Sequence, residues 1–83
     1  KIAVLPAVYM RNLRAALRRF DTVVLMKVHR VFGKVLQALN ELGLAEKAVY
    51  VEKAGIADER IVRDITTLRE EEMSYFSMVI VRK

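Results

Sequence analysis

The chain has 83 residues, a formal net charge of +5 and no cysteine. Its length allows one small domain, the lack of cysteine excludes disulfides and thiolate chemistry, and no apolar run approaches the ~20 residues of a membrane-spanning helix. A hydrophobic fraction of 54% favours a real core, with some apolar surface left to meet a partner. The positive charge favours an anionic partner such as nucleic acid, acidic lipid or a polycarboxylate, or else it is a basic surface without a ligand.

A short apolar strand is predicted first, over residues 1–5, and Pro6 ends it because proline cannot donate to a strand ladder. Since Lys1 already belongs to this strand and no initiator Met precedes it, we expect a piece of a longer protein or a processed product. Residues 7–20 predict a helix. Its apolar stripe consists of Met10, Leu13, Leu17 and Phe20, and its basic side of Arg11, Arg14, Arg18 and Arg19.

The central unit of the sequence is a strand that leads into an amphipathic helix. Residues 22–28 are almost wholly apolar and rich in β-branched side chains, which predicts a strand covered on both faces. Residues 30–42 predict a helix that ends at Gly43, where a left-handed residue commonly follows the last turn. Its apolar stripe consists of Val31, Val35, Leu39 and Leu42. Gly33 within it costs about 1 kcal/mol relative to alanine, which close packing would explain.

The second half of the chain predicts further strands. Residues 48–53 alternate, with Val49 and Val51 on one face and Tyr50 and Glu52 on the other. Residues 60–65 fit a short strand or a helical stripe equally well, residues 66–73 are polar and helix-permissive, and residues 75–81 predict a final strand. The fold class is therefore α/β, and if residues 60–65 are a strand it is a single mixed sheet of about five strands with two to three helices.

No catalytic motif stands out. His29 is the only histidine, no set of potential ligands has metal-binding spacing, and the three consecutive Glu at 70–72 fit a solvated helix face. Lys27 ends an apolar strand, so its ammonium group must reach water or meet an anion. The small residues Ala54 and Gly55 follow another strand and would let a flat ligand approach the backbone, as happens beyond strand ends in α/β folds.

Four segments together resemble one known family over essentially the whole chain. KIAVLPA, DTVVLMKV, AVYVEKAGIADERIV and YFSMVIVRK are similar to the carboxyl-terminal half of the tetrapyrrole methylases. TVVLMKV and YFSMVIV point to the branch that methylates precorrin-2 or cobalt-factor II at C(20).

The resemblance implies the second of two α/β domains, with S-adenosylmethionine (SAM) in the cleft between them. The absent amino-terminal domain would supply a glycine-rich loop and most of the substrate pocket. Cofactor contacts, mainly through the backbone, carry over to Met26, Lys27 and the adjacent Val28, and to Ala54. Many relatives have Tyr-Met where this chain has Met26-Lys27, which leaves a side-chain role for Lys27 open. The resemblance also implies that residues 60–65 are a strand in a hairpin with residues 48–53.

The implied partners are a precorrin-2-type tetrapyrrole and a second copy in a homodimer, without nucleic acid, membrane or metal, and the implied compartment is the cytoplasm. The methyl sulfonium of SAM is reactive by itself, so no catalytic residue is expected in this chain. Two alternatives remain. One is a regulatory or oligomerisation domain without a ligand, which the surplus of apolar residues allows, and the other is a nucleic-acid-binding module. Residues 22–81 can form the β-α-β-β-α-β order of ferredoxin-like RNA-binding domains, although the glycine-flanked aromatics of such domains are missing.

Overall fold

The computed structural model describes residues 1–7 and 10–83, which form a mixed β-sheet and two α-helices. Chain order and bounds are β1 (Ile2–Pro6), α1 (Met10–Arg19), β2 (Thr22–Met26), α2 (Phe32–Glu41), β3 (Ala48–Glu52), β4 (Arg60–Val62) and β5 (Ser77–Arg82). The five strands lie in the order β1-β2-β5-β3-β4. β1 runs parallel to β2, while the β2–β5, β5–β3 and β3–β4 pairs are antiparallel. The predicted α/β class with one mixed sheet is confirmed.

The ambiguous segment at residues 60–65 begins as a strand. β4 pairs with β3, so that Tyr50 lies opposite Val62 and Glu52 opposite Arg60, which confirms the hairpin that the resemblance implied. Ile65 does not continue the strand but begins a 3-10 turn, Ile65–Thr67. The carboxylate of Asp64 accepts a hydrogen bond from the Thr66 backbone N–H at 3.1 Å, and this contact starts the turn.

Both helices pack on one face of the sheet. α1 contributes Leu13 and Leu17 to the core and α2 contributes Val35 and Leu39, all at most 1% exposed, which confirms these parts of the two predicted stripes. The side chain of Met10 lies outside the described residues. The helices cover alternate residues of the three central strands, as the two-residue period of a strand requires: Val23, Leu25, Ala48, Tyr50, Val79 and Val81.

The opposite face of the sheet carries no helix from the described part of the chain. This helix-free face consists of Ile2, Val4, Val24, Met26, Val49, Val51, Ile61, Met78 and Ile80. Ile2 and Val4 are 67% and 64% exposed, and Val24 is partly exposed. The prediction that residues 22–28 are covered on both faces is therefore wrong for this chain. Apolar side chains on both faces of a strand indicate that both faces need covering, but they do not say which part of a protein covers them.

The third helix, predicted over residues 66–73, is also absent from the described structure. The segment forms two 3-10 turns, Ile65–Thr67 and Glu70–Glu72, and its buried residues Ile65 and Leu68 attach it to the core. An isolated stretch this short is a marginal helix, so tertiary contacts decide its conformation. The ferredoxin-like order needs a helix at this place, and the described residues between β4 and β5 do not form one.

α2 is stopped at one end by a glycine and capped at the other by a distant glutamate. Gly43 is left-handed with φ of 68°, and its N–H and that of Leu44 bond to carbonyls of the last turn, which confirms the predicted helix end. The helix begins at Phe32, later than predicted, after a separate 3-10 turn, Val28–Arg30. At this end the Gly33 N–H donates to Glu70 Oε1 at 2.9 Å.

Gly33 is not explained by close packing. Within residues 1–7 and 10–83, the only non-local atom near a Cβ added there is Glu70 Oε1, at an ordinary contact distance of 3.7 Å.

Neither α1 nor α2, the α-helices of residues 1–7 and 10–83, is long and apolar enough to cross a membrane.

Candidate functional site

A cleft opens at one end of the three central strands, where β2 and β3 end and where β5, which lies between them, begins. Its volume is about 450 Å³, within the usual size of small-molecule sites. It is lined by Met26, Lys27, Lys53, Ala54, Ile56, Tyr75, Phe76, Ser77 and Met78. Three chain segments that are far apart in sequence thus meet at one site.

Two lysines in left-handed backbone conformations shape this cleft. Lys27 has φ of 55° directly after β2, and Lys53 has φ of 53° directly after β3. The Lys27 N–H donates to the Ser77 carbonyl at 3.0 Å, and the Lys53 N–H to the Phe76 carbonyl at 2.8 Å. Each of the two strands therefore makes one last hydrogen bond near the start of β5 and then turns away. Such conformations are unfavourable for residues with a Cβ, and they concentrate at functional sites.

The loop after β3 exposes its backbone to the cleft. Ile56 N–H donates to the Lys53 carbonyl at 3.0 Å, which closes a turn around Ala54 and Gly55. Gly55 has φ of 79°, and its N–H donates to Glu59 Oε1 at 2.8 Å. Because Ala54 carries only a methyl group and is exposed, a ligand can approach the peptide groups of this loop closely.

Two exposed aromatic side chains form one wall of the cleft, which we call the aromatic wall, Tyr75 and Phe76. They are 55% and 66% exposed, and their rings meet edge to face at 5.2 Å between centroids. The ring of His29 lies edge-on to Tyr75 at 5.1 Å. The sequence reading placed both aromatics inside the last strand, whereas β5 starts at Ser77. Their adjacency was the available signal, because two successive strand residues cannot both face one core.

A buried polar pair lies behind the aromatic wall. Tyr50 is fully buried, and its hydroxyl donates to Glu52 Oε1 at 2.6 Å. Burial, and next the hydrogen bond to the Glu52 carboxylate, raises the pKa of Tyr50 to about 12. Arg60 Nη1 approaches the same carboxylate oxygen at 3.8 Å. The alternating pattern of the sequence places Tyr50 and Glu52 on one face of a strand, but it does not indicate their contact.

The predicted site residues do not all meet in the cleft. Met26, Lys27 and Ala54 line it, whereas Val28 is fully buried in the core and its side chain is not part of the lining. The titratable side chains among the lining residues are Lys27, Lys53 and Tyr75. The Ser77 hydroxyl also belongs to the lining, but it has no hydrogen-bond partner among the described residues, so no base is in place to activate it. No three His, Asp or Glu side chains within residues 1–7 and 10–83 are grouped to hold a metal ion. The cleft suits the binding of an organic molecule with an apolar face.

Known proteins resemble this chain in sequence and in structure. The cobalt-precorrin-2 C(20)-methyltransferase of Salmonella typhimurium is 32% identical over 69 residues, which are 82% of this chain and 29% of that protein. The crystal structure of uroporphyrin-III C-methyl transferase from Thermus thermophilus, complexed with S-adenyl homocysteine, matches the fold with a TM-score of 0.70 at 20% identity. That match covers all of this chain and 42% of the Thermus chain.

The chain thus spans less than half the length of both relatives. The family model of the tetrapyrrole (corrin/porphyrin) methylases matches residues 2–70. This range includes β1 to β4 and both helices, which is most of the described fold. The chain therefore belongs to the tetrapyrrole methylases.

Proposed function

We propose that this chain is the second domain of a SAM-dependent methyltransferase that methylates a carbon of a precorrin-2-type tetrapyrrole in cobalamin biosynthesis. The observation that carries the proposal is the cleft, in which β2, β3 and β5 bring Met26, Lys27 and Ala54 together. Family membership supports the reaction type, and the Salmonella relative supports the substrate class.

The lining of the cleft fits the adenosine part of SAM. Aromatic and aliphatic side chains offer an apolar surface, and the exposed Ala54 lets the polar edge of a base approach the peptide groups of its loop. When bound, SAM supplies a methyl group on a reactive sulfonium. The enzyme that binds SAM needs to orient this methyl group toward a nucleophilic carbon and to exclude water. We therefore assign cofactor binding, and no catalytic residue, to this chain.

An amino-terminal domain completes the proposed enzyme. The chain corresponds to 29% of the Salmonella relative and 42% of the Thermus chain. We propose that the missing domain supplies a glycine-rich loop and most of the substrate pocket, so the 83-residue chain alone has no methyltransferase activity. The codons upstream of Lys1 should then encode a strand followed by a glycine-rich loop. An open reading frame that begins at or just before Lys1, or turnover by this chain alone, would contradict this part of the proposal.

The proposed partners match the charge and the surface of the chain. A precorrin carries many carboxylates, and a net charge of +5 attracts such a substrate. The helix-free face exposes apolar side chains that need a cover, and we propose that a second copy in a cytoplasmic homodimer covers part of it.

Binding of S-adenosylhomocysteine tests the proposed cofactor site. The protein is the longest open reading frame that contains this chain, called the full-length protein below, and the assay is isothermal calorimetry. Ala54→Leu should weaken binding by tenfold or more, about 1.4 kcal/mol, because the larger side chain fills the space beside the exposed peptide groups. Lys27→Met should weaken it less, since the expected contact there is through the backbone.

Ala57 offers a matched control for Ala54. It lies in the same loop and is exposed, but it is not among the residues that line the cleft. Ala57→Leu should therefore bind S-adenosylhomocysteine like the wild type. Equal losses from Ala54→Leu and Ala57→Leu, or a greater loss from Lys27→Met, would show that the assigned contacts are misplaced.

A further inference from the structure

Tyr50 and Glu52 stand out as polar residues on the helix-covered face of β3. Tyr50 is fully buried and Glu52 is 9% exposed. On this face Tyr50 lies opposite the apolar Val79 of β5, and Glu52 lies opposite the buried Ser77. Burying a carboxylate is unfavourable unless it is paired, and apolar side chains often fill such positions at equal or better stability. Stability of the core alone therefore does not account for the pair.

The Tyr50 hydroxyl also holds the segment that precedes β5. It accepts a hydrogen bond from the Ser74 N–H at 3.3 Å. Ser74 Oγ in turn accepts one from the Phe76 N–H at 3.1 Å, and the Phe76 carbonyl accepts one from the Lys53 N–H at 2.8 Å. A series of hydrogen bonds thus runs from the Glu52 carboxylate through Ser74 to the Phe76 N–H, while the Lys53 backbone holds the Phe76 carbonyl separately.

These hydrogen bonds fix the backbone that carries the aromatic wall. Tyr75 and Phe76 are each more than half exposed, so burial of their own side chains does little to hold them in place. A segment fixed before binding has less conformational entropy to lose when a ligand packs against it. The buried pair is positioned to provide this order from within the core.

We propose that Tyr50 and Glu52 are positioning residues, which act through Ser74 to hold Tyr75 and Phe76 as the apolar wall against which the adenosine part of the cofactor packs. The inference rests on the proposed function, and it adds residues that do not touch the ligand. It predicts that the Tyr50 hydroxyl contributes more to cofactor affinity while Phe76 is present than after Phe76 is removed.

A double-mutant cycle in the full-length protein tests the inference, with calorimetry of S-adenosylhomocysteine as the readout. Tyr50→Phe should raise the Kd about fivefold, the equivalent of one net hydrogen bond. Phe76→Ala should raise it at least as much, because a wall side chain is lost. The variant with both changes should lose clearly less affinity than the two separate losses multiplied together, since the hydroxyl acts in part through Phe76.

Ser74 provides a second route that leaves the core untouched. Ser74→Ala removes the acceptor for the Phe76 N–H and should weaken binding to a similar extent, whereas Ser74→Thr keeps a hydroxyl and should retain wild-type affinity. Val81→Ala is the control for general destabilisation. Val81 is buried near the far end of β5, opposite Val23 and Ala48, so this variant should lower the melting temperature without changing the Kd.

Three results would overturn the inference. Wild-type affinity in both Tyr50→Phe and Ser74→Ala would show that the hydrogen bonds do not support the site. Losses from Tyr50→Phe and Phe76→Ala that multiply in the double variant would show that the hydroxyl acts independently of the wall. A wild-type protein that does not bind S-adenosylhomocysteine would overturn the proposed function, and this inference with it.

Discussion

The ionisation of Tyr50 provides a quantitative test of the buried pair. The hydroxyl lies in the core at 2.6 Å from Glu52 Oε1. Formation of a phenolate there would remove the donated hydrogen bond, place two negative charges side by side and leave both without water. The pKa of Tyr50 is accordingly about 12 in the folded chain, against an ordinary value of 10.0.

The raised pKa has a defined consequence for stability. The folded chain holds this proton more tightly than the unfolded chain, so the stabilising contribution is complete below pH 10 and is lost as the pH rises toward about 12. Two pH units between the folded and unfolded pKa values correspond to about 3 kcal/mol of unfolding free energy. Tyr50→Phe cannot ionise, so its unfolding free energy should fall less steeply with alkaline pH than that of the wild type.

Absorbance titration measures the ionisation directly. The chain has three tyrosines and no tryptophan, so the phenolate band is free of indole absorption. Subtracting the titration of Tyr50→Phe from that of the wild type isolates one phenol, which should ionise near pH 12. Urea unfolding of both proteins from neutral pH to about pH 11 supplies the matching stability curves. A subtracted phenol that ionises near pH 10 would refute the buried pair and the inference built on it.

Three further predictions concern the helix, its cap and the exposed sheet face. Gly33→Ala should raise the free energy of unfolding by about 0.5–1 kcal/mol, because among the described atoms the added Cβ meets only Glu70 Oε1, at 3.7 Å; a loss of stability in urea unfolding would contradict this packing. Glu70→Ala should lower it by about 1 kcal/mol, since the Gly33 N–H loses its acceptor, whereas Glu72→Ala in the same turn should have little effect; equal losses would refute the cap. Val4→Glu in the full-length protein should shift sedimentation from dimer to monomer, and an unchanged dimer would place the subunit contact elsewhere.

The elements with strong local signals were predictable from the sequence. The period of Val35 and Leu39 followed by Gly43 predicts α2 and its end, since both the stripe and the left-handed glycine depend on neighbours in the chain. The alternating or continuous apolar runs likewise predict β2, β3 and β5 to within a few residues. The α/β class followed from these elements.

The elements that depend on distant contacts were not predictable. Residues 66–73 have helix-permissive composition, yet the burial of Ile65 and Leu68 and the contact of Glu70 with Gly33 impose two short turns instead. The helix-free face of the sheet could not be predicted either. Apolar residues on both faces of a strand indicate that both faces are buried in the whole protein, but they do not indicate which part of the protein buries them.

The position of the cleft was predictable in part, while its role in cofactor binding stays a prediction. The strand ends at Lys27 and Ala54 were identified from the sequence and from the family resemblance, and the structure brings both to one cleft. The aromatic wall and the pair behind it depend on the register of β5 with β3, which sets Ser77 opposite Glu52. A single sequence does not contain that register, because it arises from pairing between strands that are far apart in the chain.

Methyl transfer by the full-length protein is the most direct test of the central claim. The protein is incubated with methyl-labelled SAM and either precorrin-2 or its cobalt form. A pool of RNA serves as the control ligand, and its retention by the protein is measured at low and high salt. We predict label in the tetrapyrrole, with the preferred form indicating whether the substrate contains cobalt. Label in neither tetrapyrrole, with salt-sensitive retention of the RNA, would contradict the assignment of this chain to a tetrapyrrole-methylating enzyme.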